Sequence, residues 1–487
     1  MNMHTLLAFV KNRCLTLLGF LLAEALMTPC IRAEDFQAGF ATADITPPTG
    51  WRRAGNYTEV VSTGVHDPLW SKAMVLSQGD TTVAFVGNDL CSVPRELTDL
   101  ARQRASERTG IPFAHIVIAA THTHGGPEYY GPLRDFLHAR ALKENDGRDP
   151  HEPIDYQALL VEHWVEVITK AHGARRPVTL SVAVPQQLGV AFNRRFLMKD
   201  GSTGWNPGKM NPNILRPLGP TDPDLPFVLV RDADSGKPLG CLTVFAMHAA
   251  IYGGPPFGAC YPGHLQTQLR AELEAPDLIS IFGEGCAGDV NHIRINTSEP
   301  ENGNTYPAVI GATLAATIKQ AGPYARPIAT GQFALRSVTV ASPVTPVSEP
   351  EYAAARQIME TLDHNEARFL VVVDAWRKVL RHEFWRKYQG KLPQEVQAIR
   401  LDRDTAVVTL PHEVFVELGM GIKSGSPFRT TIVISLANDL DFYIPTRRAF
   451  EEGHYEPTTC PLEPGCGERL VQAAVSLLNE LKQQSAP

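Results

Sequence analysis

Short apolar runs recur along the chain, and each breaks onto polar residues. Val83–Val86 leads to Asn88-Asp89, Ile116–Ala120 to a histidine pair, and Leu242–Met247 to His248. Ile279–Phe282 leads to Glu284, Ala406–Leu410 to Glu413, and Thr431–Leu436 to Asn438-Asp439. Continuous runs this short fit strands buried on both faces. Helical spacing appears between them: Arg95–Arg108, a long charged stretch over Tyr352–Tyr388, and Leu470, Val471, Ala474, Leu477, Leu478 and Leu481 near the C-terminus. Strands alternating with helices predict an α/β fold, with mixed buried β-sheets flanked by helices. Leu69–Val86 and Phe227–Met247 each read as strand, short turn, strand, and each ends beside polar candidates. That likeness predicts two related halves around one site. Lys199–Pro226, rich in Gly, Pro, Asn and Asp, reads as a long structured loop, and Leu133–Pro153 as a charged segment after the histidine pair. Long loops of this kind serve as lids or binding walls, or simply decorate the surface.

The first residues follow a different pattern. Lys11 and Arg13 precede the apolar run Leu15–Ala23, and small residues end at Ile31-Arg32-Ala33. This predicts a signal peptide over residues 1–33, cleaved after Ala33, and a secreted or periplasmic mature chain from residue 34 to 487. The run is too short to span a bilayer, and no other segment is long and apolar enough to do so. Cleavage takes away three basic residues and one acidic one and moves the formal charge from −7 to −9. A mildly acidic chain has no global electrostatic reason to bind nucleic acid and carries no polybasic membrane patch. Six cysteines remain: Cys91, Cys241, Cys260, Cys286, Cys460 and Cys466. Export permits disulfides, and Cys460 and Cys466 flank a short loop and could pair. No C-x-x-C spacing points to a thiolate metal site.

The sharpest local feature is Thr121-His122-Thr123-His124-Gly125-Gly126-Pro127. If the preceding strand continues through it, His122 and His124 share a face, because side chains alternate with period two. Two imidazoles at a strand end begin a metal site; they can equally be hydrogen-bonded polar residues. His248, Glu413 and Tyr443 also fall just beyond predicted buried strands. In α/β sheets that edge is where sites assemble. Two histidines and a carboxylate with an open position make a catalytic zinc site, in which bound water becomes acidic enough to supply a nucleophile. His66-Asp67-Pro68 and Asn88-Asp89 can orient ligands or act as turn and cap residues. Arg194 can hold a substrate oxygen or form a structural ion pair.

Several motifs resemble neutral (non-lysosomal) ceramidases: "ADITPP" at 43–48, "GVHDPLWSKAMVL" at 64–76, "THTHGGP" at 121–127, "FAMHAA" at 245–250, "GCAGDV" at 285–290, "LPHEVFVELG" at 410–419 and "YIPT" at 443–446. They occur in the family's order over about residues 37–460. The resemblance implies a Zn2+-containing α/β catalytic domain that hydrolyses an N-acyl bond of a small-molecule or lipid-like substrate. It assigns His122, His248, Glu413 and Tyr443 as metal ligands, His124 as a second active-site histidine, and Arg194 and Tyr455 as polar residues on the substrate side. The family's "GDVSPN"-like motif has a serine proposed to act in catalysis; here Asn291 stands in its place. Asn cannot be an activated hydroxyl nucleophile, but it can donate to an oxyanion. Water attack therefore fits better than a covalent serine route, and true ceramidase specificity is in question. The chain leaves no room for the immunoglobulin-like C-terminal domain of larger members. The alternatives are hydrolysis of another acyl, ester or lactone substrate, and a non-catalytic exported binding protein that keeps the fold.

Overall fold

The computed structural model describes residues 35–484 apart from 302, 362–368 and 440–441. The leader expected at residues 1–33 lies outside the described residues. One order of elements, strand–strand–strand–helix–strand–helix, occurs three times. The first copy is β1 (Gln37–Asp44), β2 (Trp70–Gln78), β3 (Thr81–Asn88), α1 (Arg95–Thr109), β4 (Ile116–Ala120) and, after an inserted α2 (Pro132–Glu144), α3 (Tyr156–Gly173). The second is β5 (Arg176–Ala183), β6 (Phe227–Asp232), β7 (Pro238–Phe245), α4 (Cys260–Glu272), β8 (Ile279–Glu284) and α5 (Tyr306–Ala321). The third is β9 (Ala334–Pro343), an inserted pair α6 (Glu349–Thr361) and α7 (Phe369–Tyr388), β10 (Lys391–Arg400), β11 (Thr405–Thr409), α8 (Val416–Gly425) and β12 (Thr430–Ile434). Two short helices, α9 (Arg447–Glu452) and α10 (Tyr455–Thr459), then lead to α11 (Cys466–Gln483).

In each copy the first three strands pair antiparallel and the fourth joins the third in parallel, with Phe85 opposite Val117, Leu242 opposite Ile281 and Val407 opposite Ile432. A parallel neighbour needs a crossover, which the intervening helix supplies. The expectation of two halves is therefore corrected to three units. The β2–β3 and β6–β7 hairpins are the two stretches that looked alike, and β10–β11 is the third. It was hard to see in the sequence because β10 interleaves polar residues (KLPQEVQAIR) with its buried ones.

The first two copies form one sheet in the order β8-β7-β6-β5-β1-β2-β3-β4, while β9-β10-β11-β12 form a second. Their inner faces share one core that includes Phe85, Val117, Val228, Leu242, Ile399 and Ile432. The outer faces are covered by each copy's own helices: Trp164 and Ile168 of α3, Leu265 and Leu314 of α4 and α5, and Leu470 and Leu477 of α11. The apolar stripe predicted along Leu470–Leu481 thus turns inward, burying Leu470, Ala474, Leu477, Leu478 and Leu481.

Small residues let the strand ends converge. A Cβ on Gly87 of β3 would sit 3.1 Å from Phe282 O of β8, and one on Gly283 of β8 would sit 3.0 Å from the Ile434 side chain of β12. Beyond β12, Ser435 N donates to Glu284 O (2.8 Å) and Asn438 N to Ile118 O (2.7 Å). The carboxyl ends of all three parallel pairs therefore meet.

The charged segment after the histidine pair is not a loop. It forms α2, and then Asp149 and Glu152 bind Arg52 and Arg134. Within Lys199–Pro226 the chain builds strands at Thr203–Trp205 and Ile214–Pro217 against Arg195–Met198. Cys460 and Cys466 stand as neighbouring buried free thiols. No described helix is long and apolar enough to cross a membrane.

Candidate metal centre

The structure brings His122, His124, His248, Glu413 and Tyr443 together where the strand ends meet, but not by strand alternation. β4 stops at Ala120, and His122 takes a left-handed backbone conformation with φ of 60°. A tight turn, rather than a shared strand face, sets the His122 and His124 rings 4.9 Å apart, edge to face. Left-handed backbone at a non-glycine residue is costly and concentrates where a site dictates it; His412, beside Glu413, has it too, with φ of 63°.

Each of two rings is held from behind by a carbonyl. His122 Nδ1 donates to Cys91 O (2.8 Å) and His248 Nδ1 to Ala287 O (2.9 Å). These bonds fix Nε2 as the nitrogen each ring turns to the site: neutral His248 carries a lone pair there, and His122 does so once its second proton leaves, the tautomer a metal-binding histidine adopts. They face one carboxylate oxygen: Glu413 Oε2 lies 3.2 Å from His122 Nε2 and 3.1 Å from His248 Nε2. That oxygen is buried and has no hydrogen bond of good geometry. The three ligand atoms all lie within 4.8 Å of one another. Tyr443 OH is 3.3 Å from His248 Nε2, and a parallel bridge sets Tyr443 opposite Glu413. Donor atoms about 3 Å apart suit a divalent ion held by bonds of about 2.0–2.2 Å.

His124 completes one side. Its Nε2 is 3.4 Å from His122 Nε2, Arg53 Nη2 donates to its carbonyl (2.6 Å), and a Cβ on Gly55 would fall 2.4 Å from its Nδ1. Gly55, with φ of +84°, is thus where backbone must pass flat against the ring.

The charges sort unevenly. Burial works against a charged His122, but Glu413 and the Cys91 side outweigh it and lift its pKa well above the ordinary value. Burial and the two neighbouring imidazoles push His124 well below it. Burial and Arg194 carry His248 down to about 3. Burial would raise Glu413, yet His122 and His248 hold it well below the usual carboxylate range. Without a cation, the cluster is one imidazolium–carboxylate pair flanked by two neutral imidazoles.

Arg194 and Tyr455 lie one layer out. Arg194 Nε donates to Glu456 Oε1 (2.9 Å) and Nη2 to Gly288 O (2.7 Å), and its guanidinium sits 5.3 Å from the Tyr443 ring centre and 6.0 Å from that of Tyr455. Tyr455 OH meets Tyr57 OH at 3.1 Å, and its ring packs on Trp205 and Phe369. Asn291 Nδ2 donates to Asn206 Oδ1 (3.0 Å) while its Oδ1 accepts from Ile293 N; neither bond reaches the imidazoles. Asn88 and Asp89 are structural: Asn88 Oδ1 accepts from Trp164 Nε1, and Asp89 pairs with Lys72. A second cluster, His138, Asp149 and Glu152, has ligand-like spacing, but Arg52 and Arg134 already bind its carboxylates.

Sequence reading missed Glu456, Tyr57, Trp205 and Phe369. The adjacent pair Arg194-Arg195 was a cue that a buried acid must exist, because buried charges are paired; its position 261 residues away was not readable.

No protein-family model matches the chain. The fold is that of solved ceramidases. A neutral ceramidase from Pseudomonas aeruginosa superposes with a TM-score of 0.68 at 17% identity, covering 93% of this chain and 75% of that one. A ceramidase complexed with C2 gives 0.67 at 16% identity, covering 93% and 76%.

Proposed function

We propose that the chain is an exported zinc-dependent amide (N-acyl) hydrolase, acting on a lipid-like or smaller acyl amide. The observation that carries this reading is the convergence of His122 Nε2, His248 Nε2 and Glu413 Oε2, with both Nδ1 atoms tied to backbone carbonyls. Tyr443 OH is the fourth ligand. Two imidazoles, a carboxylate and a phenol suit zinc. The ceramidase fold supports the choice of amide chemistry, and an exported chain agrees with the expected leader at residues 1–33.

Zinc at this point supplies a Lewis acid and a water of lowered pKa. The rest is done by the chain. His124, held neutral by burial, accepts a proton from the attacking water at Nε2 and returns it to the leaving nitrogen. Arg194 keeps the phenols of Tyr443 and Tyr455 in a positive field while Glu456 and Gly288 O fix its guanidinium. Tyr455, Tyr57, Trp205 and Phe369 wall off water. Asn291, whose Nδ2 donates to Asn206 Oδ1, offers no hydroxyl nucleophile and leaves the attack to water.

The test is metal analysis of the purified mature protein, with hydrolysis of a fluorogenic ceramide and a short-acyl amide before and after chelation. Near-stoichiometric zinc with chelator-sensitive cleavage of either amide is expected. Zinc with cleavage of esters or lactones alone would move the substrate class, and zinc without turnover of any acyl compound would make the chain a binding protein. No zinc would overturn the centre.

A pH dependence follows. His122 is protonated at neutral pH in the metal-free protein because its pKa is raised, whereas His124 and His248 are already neutral. Metal uptake must displace that proton. Zinc affinity should rise about tenfold per pH unit between about pH 6 and 8, with about one proton released per ion at pH 7. Calorimetry in buffers of different ionisation enthalpy checks this; pH-independent uptake without proton release would contradict it.

A further inference from the structure

Each copy of the repeat sends two parallel strands toward the centre, so six strand ends face it: β3 and β4, β7 and β8, β11 and β12. Residues after four of them form the cluster: His122 after β4, His248 after β7, Glu413 after β11 and Tyr443 after β12. The polar groups at the fifth end, that of β3, are consumed by the fold. Asn88 Nδ2 donates to Ala119 O and its Oδ1 accepts from Trp164 Nε1; Asp89 binds Lys72 Nζ and Trp70 N, both at 3.0 Å.

The sixth end is different. β8 finishes in Glu284, whose side chain is 2% exposed. Its Oε2 is buried without a hydrogen-bond partner in the protein, and its Oε1 lies 3.9 Å from His248 Nδ1. A buried carboxyl that makes so little of its hydrogen-bonding capacity is unfavourable for folding, and an aliphatic side chain would end the strand without that cost. Such a group calls for an explanation outside stability. Its position supplies one. It stands behind the Nδ1 edge of the very ring whose Nε2 faces Glu413, beside the Ala287 carbonyl that already accepts from Nδ1 at 2.9 Å. Oε1 is beyond hydrogen-bond reach of Nδ1, whose proton goes to Ala287 O, so the carboxyl acts as a second oxygen facing the N–H dipole on that edge and favours the same tautomer and rotation.

Resting on the metal-centre reading above, we propose that Glu284 is a positioning residue of that centre: together with Ala287 O it holds His248 in the Nδ1–H tautomer and aims Nε2 at the metal. It touches neither substrate nor ion. Burial keeps its carboxyl well above the usual pKa range, in agreement with a group held inside the fold rather than in solvent.

The experiment uses the full mature chain as wild type, Glu284→Leu and Glu284→Gln. Metal-free proteins are titrated with Zn2+ against a chromophoric chelator and with Co2+ by its visible spectrum, and the metal-free melting temperature is recorded. Glu284→Leu should bind Zn2+ about 10–100-fold more weakly and shift the Co2+ bands. Its metal-free form should melt no lower than wild type, since an unfavourable buried carboxyl is gone. Glu284→Gln, which keeps an acceptor, should stay within about threefold of wild type in affinity. A merely structural residue would move the melting temperature and leave the Co2+ spectrum alone. Glu284→Met serves the same comparison if the leucine variant does not fold. Wild-type affinity and an unchanged Co2+ spectrum in the leucine or methionine variant would overturn this role alone; a wild type that takes up neither ion would overturn the metal centre with it.

Discussion

On the proposed zinc amidase reading, replacing Glu413 by Ala is expected to strip the protein of metal and reduce amide hydrolysis to background. The reason lies in where its Oε2 sits. It is within 3.2 Å of His122 Nε2 and 3.1 Å of His248 Nε2, and it is the one carboxylate of that cluster of three. Without it, two imidazoles and a phenol face the ion with no formal negative charge to offset the cation's desolvation. A loss of affinity on the order of a thousandfold, equivalent to about 4 kcal/mol, is the expected scale. His248→Ala should do the same by removing the ring that touches both Glu413 and Tyr443. Glu413→Gln, nearly identical in shape, should be almost as poor, which separates charge from packing. Folding should survive, because His122 can give up its proton once the carboxylate that raises its pKa is gone. The measurement is zinc content and chelator-competition affinity of dialysed protein. Stoichiometric zinc in both Glu413→Ala and His248→Ala would sink the ligand assignment.

What the sequence disclosed depended on range. Every apolar run that was read as a strand formed one, because a strand buried on both faces announces itself over a handful of residues. The α11 stripe was equally plain, its burial being periodic. The positions of His122, His248, Glu413 and Tyr443 were legible as strand ends, and the fold does gather them. How it gathers them was not. The left-handed turn at His122 leaves no signal in residue type, since no glycine or asparagine marks it. The third repeat was masked by the mixed polarity of β10, and the pairing of Glu413 with Tyr443 depends on a bridge between segments about thirty residues apart. For Arg194 the sequence leaves two readings open, a clamp on a substrate oxygen or a structural ion pair. Its bonds to Glu456 and Gly288 show a guanidinium already engaged by the protein, a fact that no local pattern could carry.

That engagement makes Glu456 the position where substitution should damage the fold most. Its side chain is fully buried, with one oxygen accepting from Arg194 Nε (2.9 Å) and the other from Arg195 Nη1 (2.8 Å). Both arginines are themselves almost completely buried. One carboxylate therefore offsets two guanidinium groups in a region closed to water. Arg195 keeps a second acid at its edge, Glu452 at 3.2 Å, whereas Arg194 keeps the Gly288 carbonyl and the Trp205, Tyr443 and Tyr455 rings, with no second acid bonded to it among the described residues. Glu456→Ala removes the shared partner and leaves the positive charges behind, the case in which breaking a buried pair costs about 3–5 kcal/mol. The midpoint of urea unfolding should fall accordingly, and zinc binding should weaken as a secondary effect when Arg194 shifts against Tyr443. Glu456→Gln keeps the shape and one acceptor, so it should fall between the two. Arg194→Met, which takes away a charge and leaves Glu456 with Arg195, should destabilise less than Glu456→Ala. This ordering is what distinguishes a shared counter-charge from simple packing, since packing alone would rank the variants by volume lost. A Glu456→Ala protein within about 1 kcal/mol of wild type would mean that the two arginines find other partners, and that Arg194 is free enough to face a substrate after all.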